Sequence, residues 1–369
     1  MIEIESLKEL QPYLSAKSLT NLALQSLDLS SVMPTLLKKK VQGCLFLGCT
    51  IPEPLLDHLY KNNYIFPDLD LPYHAYPNKL YTKETLYNNF DPAKPKTYNK
   101  TLDKITYDHY INTGKEAGNI KETLARRLHD HSISDALYDF LENYEDTQVI
   151  AIMGGHGLSR TSKTYYKVAN IAKKLTEKGF LLVSGGGPGA MEATHVGAWF
   201  AGKKMKVLKS AIQHLATAPK YDDPNWLKTA FEVLQKYPVT KFKSIGIPTW
   251  LYGHEPPTPF ATHIAKYFAN SVREEGLLAI AKGGVVYAPG SAGTIQEIFQ
   301  DIAQNHYKSY GIASPMVFLD KQYWSYNRPV YPLLELLKLR GDLNHLDLGI
   351  YDRVSEAIAH IENFRKRNK

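Results

Sequence analysis

Three glycine clusters, each set between an apolar run and a helix-forming stretch, constrain this chain more than any other feature of it. Gly154-Gly155-His156-Gly157 follows Val149–Met153, Gly185–Gly189 follows Phe180–Val183, and Gly290–Thr294 follows Gly284–Ala288. The runs are short, bounded by glycine and rich in Val and Ile, as buried strands are. Between them lie stretches with helical periodicity: Thr161–Lys178, Ala190–Ala201, Thr262–Glu274 and Thr294–Gln304. Val168, Ile171, Ala172 and Leu175 share one face of the first, with lysines elsewhere. Lys206–Leu208, Ser244–Ile247 and Pro315–Leu319 are further strand candidates, and Arg353–Phe364 reads as a closing helix. Strands alternating with helices of this length predict an α/β fold. It is a Rossmann-like parallel sheet with helices on both faces and right-handed crossovers.

The chain has 369 residues, too many for one ordinary core, so a second unit is expected. Residues 1–105 read as a smaller N-terminal α/β accessory region, 106–145 as a helical connector and 146–369 as the main domain. In the first, Val41–Leu47 reads as a buried strand and Leu55–Tyr60 as a helix, while the prolines of Ile65–Pro77 exclude a long helix. Residues 88–104 are polar, with prolines and asparagines, and read as a linker or excursion. Glu116–Arg127 and Ser134–Tyr144 read as two helices, with Ser132 or Ser134 as a cap. No internal repeat or low-complexity tract is evident.

Composition narrows the function classes. With 44% apolar and 22% charged residues the chain is globular rather than disordered. No run approaches the roughly 18 apolar residues of a membrane span. The N-terminus lacks the basic and apolar regions of a secretory signal, and the two cysteines, Cys44 and Cys49, form neither a zinc pattern nor a disulfide framework. A cytoplasmic location is expected. The net charge of +7 comes from short scattered clusters such as Lys38–Lys40 and Lys203–Lys204. That pattern argues against nucleic acid and suits a small phosphorylated partner. The 25 tyrosines are framed by no RNA-binding motif and read as packing and surface residues.

A glycine turn that opens a helix presents unpaired N–H groups and the positive end of the helix dipole, and glycine lets a phosphate approach them. Such turns lie at the carboxyl ends of the strands, where open α/β sheets bind ligands. No Gly-x-x-x-x-Gly-Lys-Ser/Thr occurs, which argues against a P-loop NTPase. The fingerprint spacing and acidic residue of a dinucleotide site are also missing. Glu297, near the start of its helix, is the candidate acid or base, its other reading being dipole compensation. Arg273 is placed at the end of the preceding helix, where dipole compensation is again the other reading. His254 and Glu255 are further pocket candidates, against a plain rigid proline loop. His129-Asp130-His131 lacks a third ligand, and no metal or cofactor is expected.

Ser184-Gly-Gly-Gly-Pro-Gly-Ala-Met-Glu-Ala193 followed by Ala288-Pro-Gly-Ser-Ala-Gly-Thr-Ile-Gln-Glu297 resembles the LOG (Lonely Guy) family, formerly described as possible lysine decarboxylases. The resemblance covers roughly residues 147–320. Residues 1–105 are not part of it; the chain resembles the larger bacterial branch of nucleotide 5′-monophosphate nucleosidases in carrying extra N-terminal sequence. The resemblance implies hydrolysis of the N-glycosidic bond of nucleoside 5′-monophosphates such as AMP, giving free base and ribose 5-phosphate. It implies a homo-oligomer, for which Ile264, Ala265, Phe268 and Ala269 on the expected Thr262–Glu274 helix are the candidate contact face. Glu297 and Arg273 match the family's catalytic pair. Gly185, Gly186, Gly187 and Gly189 match its first loop, and Met191 that loop's methionine. Gly290, Gly293 and Thr294 match the phosphate turn, and Gly154 and Gly155 border the pocket. Ser291 stands where the family has a second glycine, its hydroxyl being a further candidate phosphate contact, and Glu274 where a lysine follows the arginine. Two readings therefore stand beside the hydrolase: a nucleotide sensor of the same fold without turnover, and an interaction module regulated by the nucleotide.

Overall fold

Residues 2–66 wind as a short parallel solenoid, a repeat the sequence reading does not anticipate. Its strands are β1 (Ile2–Ile4), β2 (Ser18–Thr20), β3 (Leu22–Gln25), β4 (Lys40–Gln42), β5 (Leu45–Leu47) and β6 (Tyr64–Phe66). They form one parallel sheet in the order β1-β3-β5-β6 and a second of β2 and β4. Between the two middle turns the offset is the same at three places, Leu19 pairing with Val41, Leu24 with Phe46 and Asp28 with Thr50, while the outer pairs, Ile2 with Leu22 and Leu45 with Tyr64, are slightly closer in sequence. The middle offset falls in the roughly 20–29-residue range of strand-plus-helix repeats. The repeat is hidden because the core positions Leu19, Leu22, Leu24 and Leu27 become Val41, Cys44, Phe46 and Cys49, all buried in one cluster. The run expected as one strand over Val41–Leu47 is β4 and β5, divided at Gly43, whose φ of 63° turns the chain.

The structure, a computed structural model, describes residues 1–116 and 118–368. By contact the chain forms two units, Met1–Leu80 with Asp108–Phe140 and Tyr81–Tyr107 with Leu141–Lys369. This interleaving is not the division at 105 and 145 read from the sequence. Residues 81–107 belong to the larger unit because Asp103 is the ion partner of the fully buried Lys266, and because the Tyr87 hydroxyl donates to the Pro257 carbonyl. The two helices expected over 116–144 are one, Ile120–Leu141. Ser134 does not cap it; its hydroxyl bonds back to the Asp130 carbonyl at 2.9 Å, within the helix.

The larger unit holds β7 (Val149–Met153), β8 (Leu181–Ser184), β9 (Ser244–Gly246), β10 (His263–Ile264), β11 (Gly284–Tyr287), β12 (Pro315–Leu319) and β13 (Asp347–Tyr351). All pair in parallel, in the order β10-β9-β8-β7-β11-β12-β13. Every residue of β7, β8, β11 and β12 is buried, as expected of a parallel sheet covered on both faces. This is the Rossmann-like α/β architecture.

Two expected elements differ. Lys206–Leu208 is helical, inside Met205–Leu215, where Leu208, Ala211, Ile212 and Leu215 make one buried stripe. Thr262–Glu274 is not one helix. His263–Ile264 is the edge strand beside β9, and the Ala265 and Tyr267 N–H groups bond to the carbonyls of Gly246 and Pro248. The helix starts at Asn270. Ile264, Ala265 and Phe268 are therefore core residues, 0–5% exposed, and not a contact face. Among the described residues no helix is long and apolar enough to cross a membrane.

Candidate functional site

The strand order sets the site. From β7 the chain steps outward through β8, β9 and β10, then returns to β11 on the other side of β7. β7 and β11 flank this switch point in the strand order, the place where open α/β sheets bind ligands, and the loops that leave them lie side by side. The three glycine clusters meet there. Gly155 donates its N–H to the Pro289 carbonyl and accepts the Ala190 N–H at its own carbonyl, both at 3.1 Å. Gly189, at φ 70°, caps the Ala190–Trp199 helix, and a Cβ there would fall 2.3 Å from the Gly155 carbonyl oxygen.

The third loop leads into the Ala292–Tyr307 helix, with Ser291 as its N-cap. The first intrahelical bond runs from the Ile295 N–H to the Ser291 carbonyl, which leaves the N–H groups of Ala292, Gly293 and Thr294 ahead of it. A Cβ on Gly290 would lie 2.1 Å from the Thr294 hydroxyl, whereas one on Gly293 would meet nothing within 4 Å. The missing side chain at Gly293 thus answers no packing demand and leaves the amides approachable. Ser291 is exposed, and its side chain makes no capping bond. From β12's side the Tyr323 hydroxyl donates to the Gly290 carbonyl and fixes the turn.

Arg273 and Glu297 come together over this loop, Nη1 to Oε1 3.9 Å. Arg273 stands near the N-terminus of the Asn270–Ile280 helix, not at a helix C-terminus. A cation there opposes the dipole, so dipole compensation does not explain it. Its Nε donates to the Ile247 carbonyl at 2.8 Å, and Nη2 lies 2.2 Å from where a Cβ on Gly185 would be. Glu297 falls in the second turn of its helix, beyond the turn in which the dipole acts strongly. Burial raises its carboxyl to about 7; Arg273 opposes that shift and the Glu274 carboxylate adds to it. Some 14% of its side chain stays accessible. A carboxyl poised there can act as a base near neutral pH.

The other candidates line the neighbouring loop. Met191 packs its sulfur against Gly185 and its methyl against Gly187. The Glu255 carboxylate also faces Gly187, 3.6 Å from His156 Nε2 and 3.9 Å from His254 Nε2. Burial raises its pKa, against the pull of His156, His254 and Arg273. His129 and Asp130 lie in the smaller unit and bond to each other, Nδ1 to Oδ1 3.0 Å.

Beneath the loops are groups the sequence reading did not name. His195 is fully buried, with Nε2 2.8 Å from the Ser184 hydroxyl and Nδ1 3.0 Å from that of Ser244. Burial pushes its pKa down to about 3, so it is neutral. The Ser184 oxygen in turn accepts the Gly186 N–H. Arg160 and Glu192 form a fully buried ion pair at the start of the Ala190–Trp199 helix. His156 carries a sequence signal, since it sits inside the first glycine cluster, as do Ser184 and Glu192, which lie within the Ser184–Ala193 motif. The rest are long-range partners with no local mark.

No protein-family model matches the chain, and no curated protein matches it. Among solved structures, the chain is similar to the molybdenum cofactor binding protein from the phototrophic bacterium Rippkaea orientalis, at 14% identity and a TM-score of 0.36, over 58% of this chain and 96% of that one. It is also similar to the molybdenum cofactor carrier protein of Chlamydomonas reinhardtii, at 16% identity and a TM-score of 0.34, over 59% of this chain and 98% of that one.

Proposed function

We propose that the larger unit binds a nucleoside 5′-monophosphate and hydrolyses its N-glycosidic bond, as the LOG-like motifs imply. The observation that carries this reading is the Arg273–Glu297 pair set over the helix N-terminus at Ser291–Thr294, with the glutamate poised near pH 7. The free amides of Ala292, Gly293 and Thr294 hold the 5′-phosphate, and the anchored phosphate presents the ribose. The C1′–N bond breaks with positive charge growing on the ribose, which the Glu297 carboxylate stabilises. Glu297 takes a proton from the attacking water; the oxygen goes to C1′, the bonding pair leaves with the base, and the base acquires a proton. Arg273 orients Glu297 and the ribose hydroxyls. Incubation with AMP, GMP, CMP and UMP tests the reading by release of free base. Binding without release assigns the chain to the sensor class.

Two expectations follow from the phosphate cradle and the resemblance. A nucleoside monophosphate binds at least ~10-fold more tightly than its nucleoside, about 1.4 kcal/mol, because only the monophosphate makes charge-assisted bonds to the helix terminus. Calorimetry with AMP and adenosine measures this, and equal affinities overturn the cradle. The active form is a homo-oligomer, so light scattering on fully active protein gives a mass at least twice the 41.7 kDa of the chain. A fully active monomer removes that expectation.

A further inference from the structure

The nucleotide reading leaves the base without a seat, and two adjoining clefts of the larger unit supply one. The first, about 240 Å³, is lined by His156, Gly157, Arg160, Gly189, Tyr221 and Trp226 and lies against the first two glycine loops. The second, about 190 Å³, is lined by Phe90, Pro95, Tyr98, Tyr221, His254 and Pro256, with Trp226 again in its wall. Tyr221 and Trp226 belong to both. The Tyr221 ring meets the His156 imidazole edge to face, with centroids 5.8 Å apart. His156 faces Glu255, which faces Gly187. Contacts thus run without a break from the glycine loops to an aromatic, proline-walled recess whose far wall is the 88–104 excursion.

We propose that this recess is the base subsite, taking the flat heterocycle of a nucleotide against Tyr221, with Phe90 and Tyr98 closing the far side. The inference rests on the nucleotide reading above. A heteroaromatic base suits the recess because its π-face stacks on tyrosine while its edge finds polar partners, here His254 and Asp223 on the rim. Trp226 is engaged otherwise: the Arg160 guanidinium lies 4.7 Å from its ring centre. Tyr221, the other ring shared by the two clefts and in edge-to-face contact with His156, is the stacking partner. The excursion, which the sequence marks only as polar and proline-containing, becomes part of the binding surface.

The test compares AMP, adenosine and ribose 5-phosphate by calorimetry on wild type, Tyr221→Ala and Tyr221→Phe. AMP should bind wild type at least ~10-fold more tightly than ribose 5-phosphate does, the difference being the stacked base. Tyr221→Ala should lose ~10-fold or more for AMP and keep its ribose 5-phosphate affinity, which also shows that the variant is folded. Tyr221→Phe should behave as wild type. AMP affinity unchanged in Tyr221→Ala, or equal for AMP and ribose 5-phosphate in wild type, overturns the subsite and leaves the phosphate cradle standing. AMP binding no tighter than adenosine overturns the cradle and leaves the subsite standing. No binding of any of the three overturns both.

Discussion

Replacing Glu297 with glutamine should cut release of free base from AMP by ~10²-fold or more while AMP affinity barely moves, because the phosphate contacts lie on the backbone of the preceding turn. The variant keeps the size and hydrogen-bonding edge of the side chain and removes only the charge that grows useful in the transition state. The pH profile sharpens the test. The Glu297 carboxyl is raised to about 7, so the base form is scarce at pH 5 and dominant at pH 8. Wild-type turnover should climb through pH 7 on its acidic limb, and the residual turnover of the variant should not. Stability moves the opposite way. A carboxyl raised on folding from 4.5 toward 7 favours the folded state at low pH, and that contribution is lost as pH rises through this window. At pH 8, then, Glu297→Gln should melt no lower than wild type. Arg273→Ala should also slow turnover, by less than an independent effect would add to Glu297→Gln. Unchanged turnover with a lowered melting temperature would make Glu297 a structural residue.

The second large effect is on stability. Arg160 and Glu192 are 1% and 0% exposed, and Arg160 Nε donates to a Glu192 oxygen at 2.8 Å. Nη1 bonds to the carbonyls of Leu215, Ala218 and Trp226 and to the Thr229 hydroxyl, and the Tyr165 hydroxyl donates to Glu192. Removing one partner leaves the other charge buried and uncompensated. Glu192→Ala should therefore cost ~3–5 kcal/mol in denaturant unfolding. Removing Arg160 as well, with Arg160→Met, should recover part of that loss, the sign of a coupled pair in a double-mutant cycle. A cost below ~1 kcal/mol for Glu192→Ala would contradict the burial. Arg160 also lines the cleft beside Gly157 and Gly189, so Glu192→Ala should weaken AMP binding in the protein that remains folded.

What could be read from the sequence follows from how local each signal is. Val149–Met153 and Gly284–Tyr287 are apolar on both faces and lead into glycine turns at Gly154 and Gly290, so the parallel sheet and its glycine turns stand out. Glu297 stands out through its motif, and Arg273 less so because its helix begins at Asn270, well after the Thr262 that the periodicity suggests. Ile264, Ala265 and Phe268 have a spacing that one face of a helix and a buried extended segment both satisfy, and only the hydrogen bonds to Gly246 and Pro248 decide between them. The solenoid leaves little mark in the sequence because its leucines are exchanged for valine, cysteine and phenylalanine at matching positions. Tyr221, Tyr323 and His195 act through partners far along the chain, and nothing in their immediate neighbours announces it.

The interleaved chain has a consequence for biosynthesis. Residues 81–107 leave the ribosome before the sheet they pack with exists, and the remainder takes roughly 15–50 s to follow at about 5–20 residues per second. Through that interval the aromatic side chains of Phe90 and Tyr98 wait for Tyr221 and Pro256, a period in which a nascent-chain chaperone has something to hold. Nor can the glycine-loop domain be freed by cutting ahead of β7. A polypeptide starting at residue 146 would carry Lys266 into its interior without the Asp103 carboxylate that neutralises it. The ammonium would have to shed its proton or the cavity admit water, so the excursion is as much a folding ligand of the domain as a part of it.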